Sequence, residues 1–143
     1  MIIKTRDFGE VEIADESIIT FPNGIIGFED CKKFTLLSPL GEGKFPMWLQ
    51  CVESVTPCFV VYNPMEIYPD YKFCISDEEQ EEIGINEDCS YICLAAAIVP
   101  DDYSKTTINL RCPILVNMEN MKGIQPILTE HYDFKCPVYA EEG

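Results

Sequence analysis

The chain has little of what most chemistry needs. Its 143 residues hold one histidine, His131, one tryptophan, and 10 Lys and Arg against 25 Asp and Glu. Gripping a phosphate backbone relies on Lys and Arg, so a formal charge of −15 argues against direct contact with nucleic acid. No apolar run approaches the ~20 residues of a membrane span, and none has the form of a secretory signal. The longest, Tyr91 to Val99, has the length of one strand. The expectation is a cytoplasmic chain with no membrane contact. Missing too are the G-x-x-x-x-G-K and G-x-G-x-x-G phosphate loops, the G-x-S-x-G nucleophile turn and the H-E-x-x-H zinc pair. No repeat and no shift of composition divides the chain. Residues 1–143 therefore read as a single domain, long enough to bury about two thirds of its unfolded surface.

Cysteine is present, eight times, at 31, 51, 58, 74, 89, 93, 112 and 136. The density lies below the roughly 8–10% of disulfide scaffolds, and a cytoplasm keeps thiols reduced. No C-x-x-C pair occurs, and free cysteine is among the most buried residue types. Packing as small hydrophobes is expected, with no metal and no cofactor. One enzymatic alternative remains at this level, a thiol- or metal-dependent site pairing His131 with a nearby cysteine. A catalytic set has to converge in space, and Thr129-Glu-His-Tyr132 looks like a solvated loop.

Alternation then dominates. In Thr106–Thr129, residues Ile108, Leu110, Cys112, Ile114 and Val116 fall on one face of an extended chain. The segment Asn117 to Gly123 turns it back into a run with Ile124, Pro126 and Leu128 in phase, predicting a hairpin with a long half-buried first strand. Pro126 lacks an amide donor and belongs at an edge or bulge. Short strands are also expected at Ile2–Thr5, Phe8–Ile13, Ser17–Phe21, Phe34–Ser38, Met47–Glu53, Cys58–Tyr62, Tyr91–Val99 and around Pro137–Tyr139. Glu29–Lys33 is expected to form one helical turn. The best helix signal is Ser76–Ile83, where Ser76 and Glu79 have capping-box spacing and Gly84 supplies a stop. Strands this close leave no room for parallel crossovers. The expected class is all-β and mainly antiparallel: a small closed or partly open β-barrel-like fold with one or two short surface helices.

With no convergent catalytic group, binding becomes the leading expectation. The densest charge lies in Asp77, Glu78, Glu79, Glu81 and Glu82, continued by Glu87 and Asp88, with Glu141 and Glu142 in the tail. An acidic surface suits a basic protein partner. Tyr68, Tyr71 and Tyr103 fall in expected loops, and tyrosine is favoured at interfaces for its apolar body and polar tip.

An ordered set of motifs resembles the flagellar assembly factor family (FliW). Its residues are Phe21-Pro-x-Gly24-Ile25-x-Gly27-Phe28-Glu29, Trp48-Leu49-Gln50, Phe59, Asn63-Pro64, Pro69-Asp70-Tyr71, Asn109-Leu110-Arg111-Cys112-Pro113-Ile114 and Gly123-x-Gln125. They extend from about Phe8 to Tyr132. Cys112 departs from the pattern, which more commonly has a small residue such as Ala there. The resemblance implies a non-enzymatic cytoplasmic β-barrel protein that binds flagellin near its C-terminal end. In exchange it binds the basic RNA-binding regulator CsrA, relieving repression of flagellin translation. On that basis Asp77, Glu78, Glu79, Glu81, Glu82, Glu141 and Glu142 are candidates for the regulator. An apolar groove near Phe28, Tyr68 and Tyr71 is the candidate for flagellin. Asn109, Gln125, Gly24 and Gly27 are assigned to structure.

Overall fold

A run of eight apolar or small residues, Tyr91–Ile98, forms the longest strand, and three other strands pair with it. The computed structural model describes residues 1–84 and 91–139. In chain order the strands are β1 (Ile2–Lys4), β2 (Glu10–Glu12), β3 (Ile18–Thr20), β4 (Lys33–Leu37), β5 (Met47–Cys51) and β6 (Cys58–Tyr62). They continue with β7 (Tyr91–Ile98), β8 (Thr107–Ile108), β9 (Ile114–Asn117), β10 (Lys122–Ile124) and β11 (Cys136–Pro137). Two short helices, α1 (Pro64–Ile67) and α2 (Asp77–Glu82), lie between β6 and β7.

Seven strands close a barrel in the order β3-β4-β5-β6-β7-β9-β10 and back to β3. Every pairing is antiparallel except the β3–β10 seam, which is parallel and pairs only Lys122 with Thr20. Inside lie Ile19, Phe21, Phe34, Leu49, Val61, Leu94, Ile114 and Val116, with the Phe21 and Phe34 rings edge to face at 5.4 Å. Gly123 has no room for a side chain, because a Cβ there would strike the Phe21 ring. The expected all-β barrel with short helices is what forms.

The last residues of β7 leave the ring and pair with β8, which pairs with β11. Under this extension sits a second core of Tyr71, Ala95, Ile108, Leu110 and Leu128. Strands β1 and β2 make a separate hairpin packed on Ile18 of β3, Leu37 of β4 and Val52 just past β5. Gln50 of β5 is fully buried yet saturated: its Oε1 accepts the Arg6 amide at 3.1 Å. Its Nε2 donates to the carbonyls of Cys51 at 3.1 Å and Val55 at 2.9 Å. The Arg6 guanidinium donates to the Cys58 carbonyl at 2.7 Å and pairs with Asp7 at 2.9 Å, and Asp7 accepts the Trp48 indole N–H at 3.0 Å. These contacts explain the Trp48-Leu49-Gln50 motif, with Leu49 facing the barrel interior and its neighbours tying down the hairpin.

Three expectations need correcting. The run from Ile108 alternates in burial only as far as Cys112; from there to Asn117 every residue is buried, and the run is not one strand. The Asn109 Oδ1 accepts the amides of Arg111 and Cys112, both at 3.0 Å, and that turn together with Pro113 ends β8 before β9 begins. Ile108 and Leu110 therefore serve the second core and Ile114 and Val116 the barrel, while buried Leu115 covers the other face of β9. Glu29–Lys33 forms no helix; a turn closed by the Cys31 amide on the Phe28 carbonyl leads straight into β4. Directly after β6, Asn63-Pro64 begins a helix. The Asn63 side chain accepts the Met65 amide and Pro64 occupies the first helical position, which starts α1. Finally, Cys31 and Cys51 are joined as a disulfide and do not pack as separate small hydrophobes.

Candidate functional site

Methionine is unbranched and polarizable, so it fills irregular apolar surface and adapts to what covers it. Four of the five methionines meet at one place: Met47 from β5, Met65 from α1, and Met118 and Met121 from the β9–β10 turn. With Ile19, Leu36, Phe45 and Ile92 they line a groove of about 960 Å³. Its floor is continuous with the barrel core, since Ile19 and Met47 are buried. Its walls are open, with Met65 and Met118 exposed by 43% and 46%. The ionisable groups around it are Glu16, Glu42, Tyr91 and Cys93; no Lys or Arg is among its lining residues.

The turn carrying Met118 and Met121 is held from below. The Asn117 Oδ1 accepts the Glu119 amide at 3.0 Å, and its carbonyl accepts the Met121 amide at 2.8 Å. The Asn117 side-chain amide donates to the Ile83 carbonyl at 2.8 Å, which anchors the end of α2 to the same turn. Met65 and Tyr91 line a second apolar depression as well, with Tyr71, Phe73, Lys72 and Glu130. The groove thus continues past α1 as a trough.

The acidic helix forms by its expected cap. The Glu79 amide donates to the Ser76 hydroxyl oxygen and the Ser76 amide to the Glu79 carboxylate, each at 3.1 Å, and Gly84 ends the element at φ +71°. Asp77, Glu78, Glu81 and Glu82 are exposed and Glu79 is half-buried. The Asn23 side-chain amide donates to Glu82, which sets the helix beside the Phe21–Glu29 loop. Gly24 takes φ +71°, and a Cβ there would come within 2.6 Å of the Glu29 backbone. The Gln125 side chain accepts the Ile26 amide at 3.0 Å and donates to the Cys112 carbonyl at 3.2 Å. Between helix and loop lies a small cleft of about 170 Å³ where Glu29, Glu79 and Glu82 converge. Hydrogen bonds from its own amide and from that of Gly27 hold the Glu29 carboxyl below the usual carboxylate range, so it is charged. Glu141, Glu142, Glu87 and Asp88 lie outside the described residues.

The three apolar candidates do not share a groove. Phe28 is exposed and stands edge to face on Phe59 at 5.3 Å, beside the Cys31–Cys51 bridge. Tyr71 is buried under the β8–β11 extension, its hydroxyl donating to the Leu110 carbonyl at 2.6 Å, and burial pushes its phenol well above the ordinary range. Tyr68 is half-buried at the end of α1, its hydroxyl on the Pro137 carbonyl. Tyr103 is exposed, with its ring against Tyr139. His131 is exposed, and among the described residues no three His, Cys, Asp or Glu side chains gather as metal ligands. Burial pushes up the thiols of Cys58, Cys112 and Cys136, and that of Cys93 to about 12. A nucleophilic cysteine needs the opposite shift.

The methionine groove itself was not among the expected sites. Its residues come from β3, β4, β5, α1, β7 and the β9–β10 turn, and no local spacing connects them. The available signal was compositional: few methionines, nearly all beside turns or strand ends.

The molecule is thus a small closed β-barrel with an acidic helix on one flank and one large apolar groove. A sequence model of the FliW protein family matches residues 2–138. The chain is 40% identical over 142 residues to the flagellar assembly factor FliW of Ruminiclostridium cellulolyticum, covering 99% of this chain and 96% of that one. It is 39% identical over 132 residues to the factor of the same name from Caldicellulosiruptor bescii, covering 90% and 84%. A crystal structure of the flagellar assembly factor FliW superposes with a TM-score of 0.92 at 30% identity, over the full length of both chains. The chain belongs to the FliW family of flagellar assembly factors. Among the described residues, no helix is long and apolar enough to cross a membrane.

Proposed function

We propose that the protein is a non-enzymatic, cytoplasmic flagellar assembly factor that works by exchanging two partners. One is flagellin, bound through its C-terminal region before export. The other is a CsrA-type RNA-binding regulator, whose capture relieves repression of flagellin translation. The carrying observation is the convergence of Glu29, Glu79 and Glu82 beside the exposed carboxylates of α2. A basic regulator that uses its positive surface for RNA is drawn to such a face, and RNA, being anionic, is repelled by it. Occupation of the regulator by this protein then excludes the messenger by charge as well as by volume.

The test is the association rate with purified CsrA-type regulator across a salt series. Reversal of Asp77, Glu78, Glu81 and Glu82 to Lys is expected to slow association by at least about tenfold at low salt, because steering of this kind accounts for factors of ~10–1,000. The wild-type rate should fall as salt shortens the ~8–10 Å screening length. An on-rate indifferent to both treatments would move the regulator to another face.

A further inference from the structure

Every lining side chain of the large groove that carries formal charge is an acid, Glu16 or Glu42, and the rest of its surface is mostly apolar. Its size, about 960 Å³, is at the top of the ~300–1,000 Å³ common for small-ligand sites. It is also open and runs on past Met65 and Tyr91 toward Phe73, so it has the shape of a trough. A small ligand would leave most of that length wet. A second copy of this chain would bring another −15 charges against the first. An amphipathic helix laid lengthwise fits: its apolar positions at i, i+3, i+4 and i+7 meet the floor, and methionine walls conform to side chains of differing shape.

We propose that this groove, and not the surfaces at Phe28 or Tyr68, is the seat of an amphipathic helical segment with neutral or basic flanks. The inference rests on the two-partner reading above, and the segment is accordingly the C-terminal chain end of flagellin. The rigid half of the seat is the barrel, through buried Ile19 and Met47; the adaptable half is α1 and the β9–β10 turn, through Met65 and Met118. Glu16 and Glu42 disfavour acidic segments in the main groove and orient a basic flank toward that side, while Lys72 and Glu130 balance each other at its extension.

The double variant Met65→Glu, Met118→Glu tests this, because both side chains are exposed and neither fills the core. Calorimetric titration with full-length flagellin from the same cell is expected to show at least tenfold weaker binding than wild type. Regulator binding through α2 and the melting temperature serve as readouts of an intact fold and should hold. Equal flagellin affinity in wild type and double variant overturns the groove alone. So does loss of flagellin on Phe28→Ser with the double variant unaffected, or loss of the regulator in place of flagellin. A wild-type protein that takes up no flagellin at all overturns the two-partner reading and this inference with it.

Discussion

Two flanks of the same barrel are built on opposite principles. Around Gln50 the polar groups of a buried side chain are met by partners from β1–β2, β5 and the loop after it, and Arg6, Asp7 and Trp48 close the circuit. Around Met65 and Met118 there is almost nothing to saturate, only apolar surface that flexible side chains half cover. Directional bonds allow one geometry, whereas dispersion contacts from unbranched side chains allow many. The contrast teaches where this barrel keeps its shape and where it can take the shape of something else. The largest test is Gln50→Ala, which takes the partner from the Arg6 amide and from the carbonyls of Cys51 and Val55 around a fully buried side chain. It is expected to cost about 2–4 kcal/mol in urea unfolding, and a loss under about 1 kcal/mol would erase the distinction.

Tyr71 stands between these extremes, a buried ring with one hydrogen bond. Tyr71→Phe should cost about 1–2 kcal/mol. Because burial raises this phenol in the folded state above its ordinary ~10, its contribution is complete below that pH and declines as pH rises beyond it. Alkaline unfolding should therefore be shallower in the Phe variant, as a melting series from pH 8 to 11 would reveal. At the weak end, Met65→Ser should shift stability by no more than about 0.5 kcal/mol. A larger loss would mean the groove wall belongs to the core after all.

The polar flank was legible in part and the groove was not, for a physical reason. Capping boxes, turn glycines and β-branched runs act between residues a few positions apart, so Ser76–Glu79, Gly84 and the strand run Cys58–Tyr62 could be placed from the chain alone. Alternation in Ile108–Val116 found one buried face, but it could not say that Pro113 and Leu115 are buried as well, nor that one strand was two. The Asn109 turn redirects the chain without disturbing the phase of the buried residues. Tyr71 looked like an interface residue because its segment reads as a loop; its burial comes from β8 and Tyr132, some 40 and 60 residues further along. Met47, Met65, Met118 and Met121 become neighbours only once the ring of strands has closed, and no window along the chain contains them all.

That closure has a point of least resistance. Strands β5 and β6 share four residue pairs, whereas β3 and β10 share one, backed by the Thr20 amide on the Met121 carbonyl at 2.8 Å. Amides along this seam are thus the ones to exchange first with heavy water while the opposite staves stay protected. Met121, at the seam, is also part of the groove lining. A guest wedged beside it would press on the joint that yields most readily, so occupancy at that doorway is felt as a change in how tightly the whole cylinder is shut.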